Sequence, residues 1–401
     1  MSNYSKVQFI SWEVHTGPFV VTRPPVKTGL YSGLLDPTPD NRTDALGQCW
    51  DIEARLAFTA DAIAKAELSS DRSAGTLKIF MAPEFLYRGA GGAYLHDLID
   101  GWDGQAPAEF NLPAPYNGRW RGLFGGLRAL VAQAKYEDWV FVFGTALSAS
   151  FPSARQRDGK FVIDVRQPGE IYNCALIQRG GALHGTDNYV SRKHYISPID
   201  FLQWNGAVAQ HTPGTVLPLD PRAVVPADVM GVNEGGALFR IPGINDSLGK
   251  PIDFGIEICL DHARSGNSAN PYGRIRTAGQ SVKIQLVPSG GMRLVSDSIR
   301  LQPAGAPTPR SYAFNCDGLG NLNGSAGSHT QVWNGPNSAP APAGNCLVAA
   351  SSGAVVGGTV LTAVAAQVQT TLGAVQGSLL WNNGGNVQGA GQVRILAVRD
   401  L

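Results

Sequence analysis

Residues 120–134 place apolar side chains at intervals of three and four residues, between two short segments that favour strands. The apolar positions are Trp120, Leu123, Phe124, Leu127, Leu130, Val131 and Ala134. This spacing puts all of them on one face of an α-helix. The flanking segments, 77–81 and 139–143, are short and largely apolar. A strand, an amphipathic helix and a second strand in this order predict an α/β fold.

The same alternation extends over the first two-thirds of the chain. A second helix is predicted over 49–68, where Ile52, Leu56, Ala60, Ile63 and Ala64 recur at helical spacing. Further strands are predicted over 7–14, 172–178, 252–258 and 284–287. The later strands are apolar on both faces, which is typical of a sheet covered by helices on at least one side.

Three stretches rich in glycine, proline and aromatic residues interrupt this alternation, over 17–47, 88–118 and 201–249. Loops of this length are usually functional or disordered. We therefore expect long loop insertions, which either enclose a substrate or are tolerated at the surface.

The carboxy-terminal region differs in composition from the rest of the chain. No Lys, Arg, Asp or Glu occurs from 318 through 393. Runs of Val, Leu and Thr over 349–368 predict short strands. We therefore divide the chain into a domain over 1–317 and a charge-poor, β-rich region over 318–401 that completes the same domain and could form an oligomer interface. A low-complexity linker is the alternative.

The net charge and the cysteine content limit which partners, disulfides and metal sites we expect. With a net charge of +1 and 16% charged residues, the chain has no basic footprint for nucleic acid or for an anionic membrane. No signal pattern or apolar run of about 18 residues occurs, so we expect a cytoplasmic protein with no membrane partner. Five widely spaced cysteines, without a C-x-x-C pair, indicate reduced thiols and neither a disulfide framework nor a zinc site.

Three segments place an ionisable side chain where a strand-like run gives way to a turn. They contribute Glu84, Lys193 and Cys259. A cysteine becomes a nucleophile only as its thiolate, which requires a neighbouring base or positive charge. A glutamate and a lysine can supply these, although each residue alone is typical of an ordinary surface or core position.

The local sequences around these residues resemble the motifs of the nitrilase superfamily, the carbon-nitrogen hydrolases with a Glu-Lys-Cys triad. The matching segments are Ile-Phe-Met-Ala-Pro-Glu at 79–84, Tyr-Asn-Cys-Ala-Leu-Ile at 172–177, Ser-Arg-Lys-His at 191–194, Gly-Ile-Glu-Ile-Cys-Leu-Asp at 255–261 and Leu-Val-Pro-Ser at 286–289. The resemblance covers residues 6–290. It implies a four-layer α-β-β-α sandwich.

The resemblance also implies a role for each residue. Glu84 would be the general base and Cys259 the nucleophile that forms a thioester. Lys193 and the backbone N–H of Leu260 would hold the oxyanion. The same chemistry needs no metal and no organic cofactor.

The chain departs from the family pattern in two places. Many members carry a second glutamate after the lysine, and here the nearest acid is the shorter Asp200, a candidate supporting residue. The closest approximation to the family's Arg-x-x-Ala-x-Glu-Asn segment, at 310–315, lacks the glutamate. Three aromatic residues beside the triad could line a substrate pocket: Phe85, Tyr87 and Tyr195.

The sequence leaves several functions open. Leu260-Asp261 after the cysteine favours a small amide or carbamoyl substrate over a nitrile, by analogy with the family. Nitrile hydrolysis, transfer of the acyl group to an amine, and a non-catalytic assembly subunit are the alternatives. A homo-oligomer is expected, because the uncharged carboxy-terminal region suits an interface.

Overall fold

The computed structural model describes most of the chain. The described residues are 2–16, 44–89, 92–150, 153–155, 157, 161–163, 169–195, 200, 216–218, 234–263, 273–303, 310–320, 327–334, 346–348, 358–381 and 389–401. Most of the predicted loops over 17–47 and 201–249, and residues 349–357 of the carboxy-terminal region, lie outside this set.

Helices are few, and one of them is long. The α-helices are Ala45–Ser69 (α1), Asp97–Asp100 (α2), Gly122–Val131 (α3), Arg274–Thr277 (α4) and Gly377–Trp381 (α5). Single 3₁₀ turns occupy Ala108–Phe110, Ala134–Tyr136, Cys259–Asp261 and Ser296–Ser298. Helix α1 begins after Asp44, whose side chain accepts a hydrogen bond of 2.7 Å from the backbone N–H of Gly47. This N-cap satisfies one of the donors left free at a helix start.

Most of the regular structure is β-sheet. The strands of the first half are Ser2–Tyr4 (β1), Lys6–Glu13 (β2), Thr76–Met81 (β3), Tyr94–Leu95 (β4), Trp139–Val142 (β5), Ala146–Ser150 (β6), Ser153–Arg155 (β7), Phe161–Ile163 (β8), Gly169–Arg179 (β9), Asn188–Arg192 (β10), Val216–Pro218 (β11) and Glu234–Gly235 (β12). Those of the second half are Leu238–Phe239 (β13), Ile244–Asp246 (β14), Phe254–Ile256 (β15), Ile284–Pro288 (β16), Tyr312–Cys316 (β17), Gln331–Asn334 (β18), Cys346–Val348 (β19), Val360–Ala363 (β20), Gln367–Thr370 (β21), Gly373–Gln376 (β22), Gln392–Ile395 (β23) and Arg399–Asp400 (β24).

Two sheets organise the fold. The larger has the order β12-β10-β9-β5-β3-β2-β23-β20, and the smaller has the order β13-β15-β16-β17-β18-β19. Strands β2, β3 and β5 run parallel, as do β15, β16 and β17. Parallel neighbours need crossover connections, which is the reason for the strand and helix alternation in the sequence.

The two sheets share one apolar core. Phe9, Ile79 and Val142 from the larger sheet belong to the same buried cluster as Ile256 and Phe314 from the smaller sheet. The opposite face of the larger sheet packs against helices, because residues such as Phe80 and Phe141 share a second cluster with residues of α1 and α3. Successive side chains of a strand point to opposite faces of the sheet, so one face of the larger sheet packs on the smaller sheet and the other packs on the helices. A mixed α/β fold is therefore confirmed.

Helices α1 and α3 approach each other closely on that face. A Cβ atom at Gly126 would lie 2.6 Å from a methyl carbon of Leu56, which is closer than side chains pack. The outer face of the smaller sheet is covered differently: Val287 and Ala313 pack against Leu294, Ile299 and Leu301, which flank the 3₁₀ turn at Ser296–Ser298.

Strands beyond residue 318 pair with strands that precede it. β18 continues the smaller sheet beside β17, while β23 pairs with β2 near the amino terminus. The described part of 318–401 thus contributes strands to both sheets, while β21 and β22 form a separate two-stranded sheet.

Two predicted elements differ from the structure. The strand expected over 252–258 is restricted to Phe254–Ile256 (β15), because the backbone turns at Cys259 and the N–H of Ile252 instead bonds the carbonyl of Ile244. The loop expected over 88–118 contains β4, α2 and a 3₁₀ turn, and backbone bonds between Trp102 and Trp120 close it. Within the described residues, no helix combines the length and the apolar character that a membrane crossing requires.

Candidate active site

Glu84 lies in the turn that follows β3. The next residue, Phe85, has a φ angle of 64°, in the left-handed region that non-glycine residues rarely adopt. Its N–H donates to Thr145 Oγ1 at 2.9 Å, and the N–H of Glu84 donates to the carbonyl of Ser289 at 3.1 Å. These bonds hold the turn in a strained shape that keeps the carboxylate inside the protein.

Lys193 immediately follows β10 and pairs with two carboxylates. Its Nζ lies 2.7 Å from Glu84 Oε1 and 2.8 Å from Asp200 Oδ1. All three side chains are fully buried. A buried ammonium group requires such partners, since an unpaired charge in the interior is very costly.

Asn173, on β9, joins the same cluster. Its Nδ2 donates to Glu84 Oε1 at 2.9 Å and to Asp200 Oδ2 at 3.2 Å. The sequence motif includes this residue, but sequence reasoning did not assign it to the site. An amide in the middle of an apolar strand is the signal that could have identified it, because a buried amide needs hydrogen-bond partners.

Cys259 begins a single 3₁₀ turn, separated from the end of β15 by two residues. Its φ angle is 48°, so the nucleophile candidate is a second non-glycine residue in the left-handed region. The residue is buried, with 7% of its surface exposed. The charges of Glu84 and Lys193 and the backbone N–H of Gly290 all act on the pKa of its thiol.

The environment of Glu84 shifts its acidity. Burial raises the pKa of Glu84 to about 7, with the positive charge of Lys193 lowering it and the negative charge of Asp200 raising it. Oε1 is occupied by Lys193 and Asn173, whereas Oε2 has no hydrogen-bond partner among the described residues. One carboxylate oxygen is therefore held in place while the other can accept a proton.

The pKa values of Lys193 and Cys259 are shifted as well, partly by the charge of Glu84. Burial by itself lowers the pKa of Lys193, but the charges of Glu84 and Asp200 outweigh it and raise that pKa above its ordinary value. Burial and the charge of Glu84 raise the pKa of the Cys259 thiol well above its usual range. In this state the lysine is charged and the cysteine is a neutral thiol.

Asp261 connects the cysteine turn to the lysine segment. Its carboxylate accepts hydrogen bonds of 3.0 Å from the backbone N–H groups of His194 and Tyr195, the two residues after Lys193. Arg274 donates a further bond of 3.1 Å to the same carboxylate. Burial raises the pKa of Asp261 to about 6, and the charge of Arg274 opposes that rise. This carboxylate therefore sets the position of Lys193 relative to Cys259.

The remaining predicted site residues take different positions. Phe85 lies under the site, with its ring 5.6 Å from Lys193 Nζ. Tyr87 points its hydroxyl toward Thr59 of α1, at 2.8 Å, on the helical side of the larger sheet. Tyr195 lies beside the site through its backbone bond to Asp261. Leu260 is the residue after Cys259 in the 3₁₀ turn, where its N–H is adjacent to the thiol in the chain.

This arrangement can carry out acyl chemistry. It contains a thiol, a carboxylate with an available oxygen, and an ammonium group that uses two of its three N–H donors on carboxylates. The third donor can bind a developing negative charge. Within the described ranges, no group of three or more His, Cys, Asp and Glu side chains is placed to hold a metal ion.

No protein-family model matches the chain, and no curated protein matches it in sequence. A solved structure of a glutamine-dependent NAD(+) synthetase from Cytophaga hutchinsonii is similar at 12% identity, with a TM-score of 0.34. The similarity covers 83% of this chain and 39% of that one, so the chain spans less than half of that protein's length. A TM-score this low does not establish a shared fold or a shared activity.

Proposed function

We propose that the protein is a cysteine-dependent hydrolase of a non-peptide C–N bond in a small amide or carbamoyl compound. The observation that carries the proposal is the difference between the two carboxylate oxygens of Glu84. Lys193 and Asn173 hold Glu84 Oε1, and the free Oε2 belongs to a group whose pKa of about 7 suits a base at neutral pH. The family resemblance of the surrounding motifs supports the same assignment.

In the first half of the reaction, Glu84 takes the proton from the Cys259 thiol as the sulfur attacks the carbonyl carbon. The carbonyl oxygen becomes an oxyanion, which the third N–H of Lys193 and the N–H of Leu260 stabilise. Glu84 then gives its proton to the leaving nitrogen. The C–N bond breaks, ammonia or an amine departs, and a thioester to Cys259 remains.

In the second half, water replaces the amine. Glu84 takes a proton from the water molecule as its oxygen attacks the thioester carbonyl, and the same donors stabilise the second oxyanion. The C–S bond breaks, and the sulfur recovers a proton from Glu84 as the acid product leaves. Asp200 supports both steps, since it shares the charge of Lys193 and keeps the Glu84 pKa high.

Two further features belong to this proposal. The facing sheets with α1 and α3 on one side are consistent with a nitrilase-like four-layer sandwich, in which the segments packed on Val287 and Ala313 belong to the fourth layer. Self-association through the uncharged carboxy-terminal region is proposed on composition, since interface cores are depleted in charge.

The test is ammonia release from a matched panel of small aliphatic and aromatic amides, N-carbamoyl compounds and nitriles. Wild type is compared with Cys259→Ala and with Cys49→Ala, which removes a buried cysteine of α1. We expect release from amides or carbamoyl compounds by wild type and Cys49→Ala, and none by a folded Cys259→Ala.

Each other outcome changes a specific part of the proposal. Release from nitriles alone would reverse the substrate class. Normal turnover by Cys259→Ala would remove the nucleophile. Capture of the acyl group by an added amine, in place of hydrolysis, would indicate acyl transfer with the same thioester.

A further inference from the structure

One buried carboxylate makes several of the bonds that hold the turn over 289–292, directly after β16. Asp317 Oδ1 accepts hydrogen bonds from Ser289 Oγ and from the N–H groups of Gly291 and Met292, at 2.6, 2.6 and 2.7 Å. Its Oδ2 lies 2.7 Å from Nδ1 of His329. These four donors fill the acceptor sites of a carboxylate.

The same turn contacts two of the reacting groups. The carbonyl of Ser289 accepts the N–H of Glu84 at 3.1 Å. The N–H of Gly290 lowers the pKa of the Cys259 thiol and so favours the thiolate. Gly290 also lies against the triad, because a Cβ atom there would be 2.8 Å from the Phe85 ring and 3.6 Å from Glu84 Oε2. The turn therefore lies beside both the thiol and the free oxygen of the base.

Asp317 reaches this turn from a segment that packs on the other side of the Glu84 turn. Its neighbour Gly318 has a φ of 68°, and a Cβ atom there would lie 2.2 Å from the carbonyl of Val14 and 3.2 Å from Pro83. The N–H of Leu319 bonds that same carbonyl at 3.2 Å. Asp317 is thus also anchored by contacts outside the turn that it holds.

We propose that Asp317 is a positioning residue, which holds the turn over 289–292 so that the Gly290 N–H stabilises the thiolate of Cys259. The role rests on the proposed function of Cys259 as the nucleophile. The family motifs assign neither the Gly290 N–H as a donor nor Asp317 as a buried acid. Both groups act before any substrate is bound.

The substitution Asp317→Asn tests this role with little change of shape. An amide oxygen carries no net charge, so it binds the three donors that now share Oδ1 more weakly than a carboxylate oxygen does. Its NH₂ group would also face His329, the donor that now bonds Oδ2. Ser289→Ala is a milder second variant, since it removes one of the four bonds and leaves the carboxylate. Asp51→Asn is the control, because Asp51 is also buried and pairs with Arg55 at 2.7 Å on the helical side.

The measurement is the rate of Cys259 alkylation by iodoacetamide as a function of pH, resolved by mass spectrometry from the other four cysteines. A hydrogen bond to a charged group contributes enough that its loss should slow alkylation at neutral pH about tenfold in Asp317→Asn. The midpoint of the profile should move to higher pH. Ser289→Ala should show a smaller change in the same direction, and Asp51→Asn should match wild type.

A wild-type alkylation profile in both folded Asp317→Asn and Ser289→Ala would overturn the proposal. If Asp317→Asn does not fold, Ser289→Ala decides alone, and an unchanged profile in that variant is sufficient to reject the role. The assay needs no substrate. A failure of the hydrolase proposal would appear as silence in the ammonia panel, independently of whether these variants alter the thiol.

Discussion

The substitution Asp200→Asn tests the electrostatic design of the site. Asp200 and Glu84 share the Lys193 ammonium group through oxygens 2.8 and 2.7 Å from Nζ. The negative charge of Asp200 raises the pKa of Glu84, which stands at about 7. Asparagine keeps the size and one acceptor but removes the charge. The pKa of Glu84 should therefore fall.

The distances in the structure give the expected size of this fall in the pKa of Glu84. Because both oxygens contact Nζ, they lie at most about 5.5 Å apart, and two unit charges at that distance repel by about 3 kcal/mol at an effective dielectric constant of about 20. This corresponds to about two pKa units, and a shorter separation of the two oxygens would make the repulsion larger. We expect the acid limb of activity to move down by one to two pH units, on the order of the calculated repulsion. Above the midpoint, turnover should be several times slower, because a less basic carboxylate is a poorer base.

The assay is the pH dependence of kcat/KM for the best substrate of the panel, with Cys259 alkylation as a substrate-independent check. Asp200→Glu is the matched control, because it retains the charge and should keep the midpoint near that of wild type. An acid limb that stays in place in Asp200→Asn, or moves to higher pH, would refute the reasoning that the charge of Asp200 sets the basicity of Glu84.

Two further substitutions test the buried ion pairs. Lys193→Ala leaves Glu84 and Asp200 buried without a cation, so it should abolish turnover and lower the free energy of unfolding in urea by about 3–5 kcal/mol. Lys78→Ala is the control: it removes another largely buried lysine, near the start of β3, and should retain turnover. Near-normal activity in Lys193→Ala would show that Lys193 does not stabilise the oxyanion. Asp261→Asn should lower kcat and should lower the free energy of unfolding in urea by about 1–3 kcal/mol, because one amide oxygen replaces two acceptors. An unchanged kcat would show that Asp261 does not position Lys193.

Several elements could be predicted from local sequence because their side chains repeat at a regular interval. Helix α1 and strands β3, β5 and β16 begin and end within a few residues of the predicted bounds. The strand over 252–258 was predicted too long, because an apolar run does not reveal where the backbone turns into the left-handed conformation of Cys259. That conformation is unfavourable locally, so only packing around the turn can maintain it.

The α/β alternation and the three short motifs that carry Glu84, Lys193 and Cys259 can be predicted from the sequence, since each depends on neighbouring residues along the chain. The groups that surround these three residues follow from the fold. Asn173 and Asp317 belong to strands or turns far away in the chain, and their contacts depend on strand register and on how the two sheets pack. A carboxylate such as Glu84 becomes a base near neutral pH because burial and neighbouring charges act on it together, and both arise only when the chain is folded.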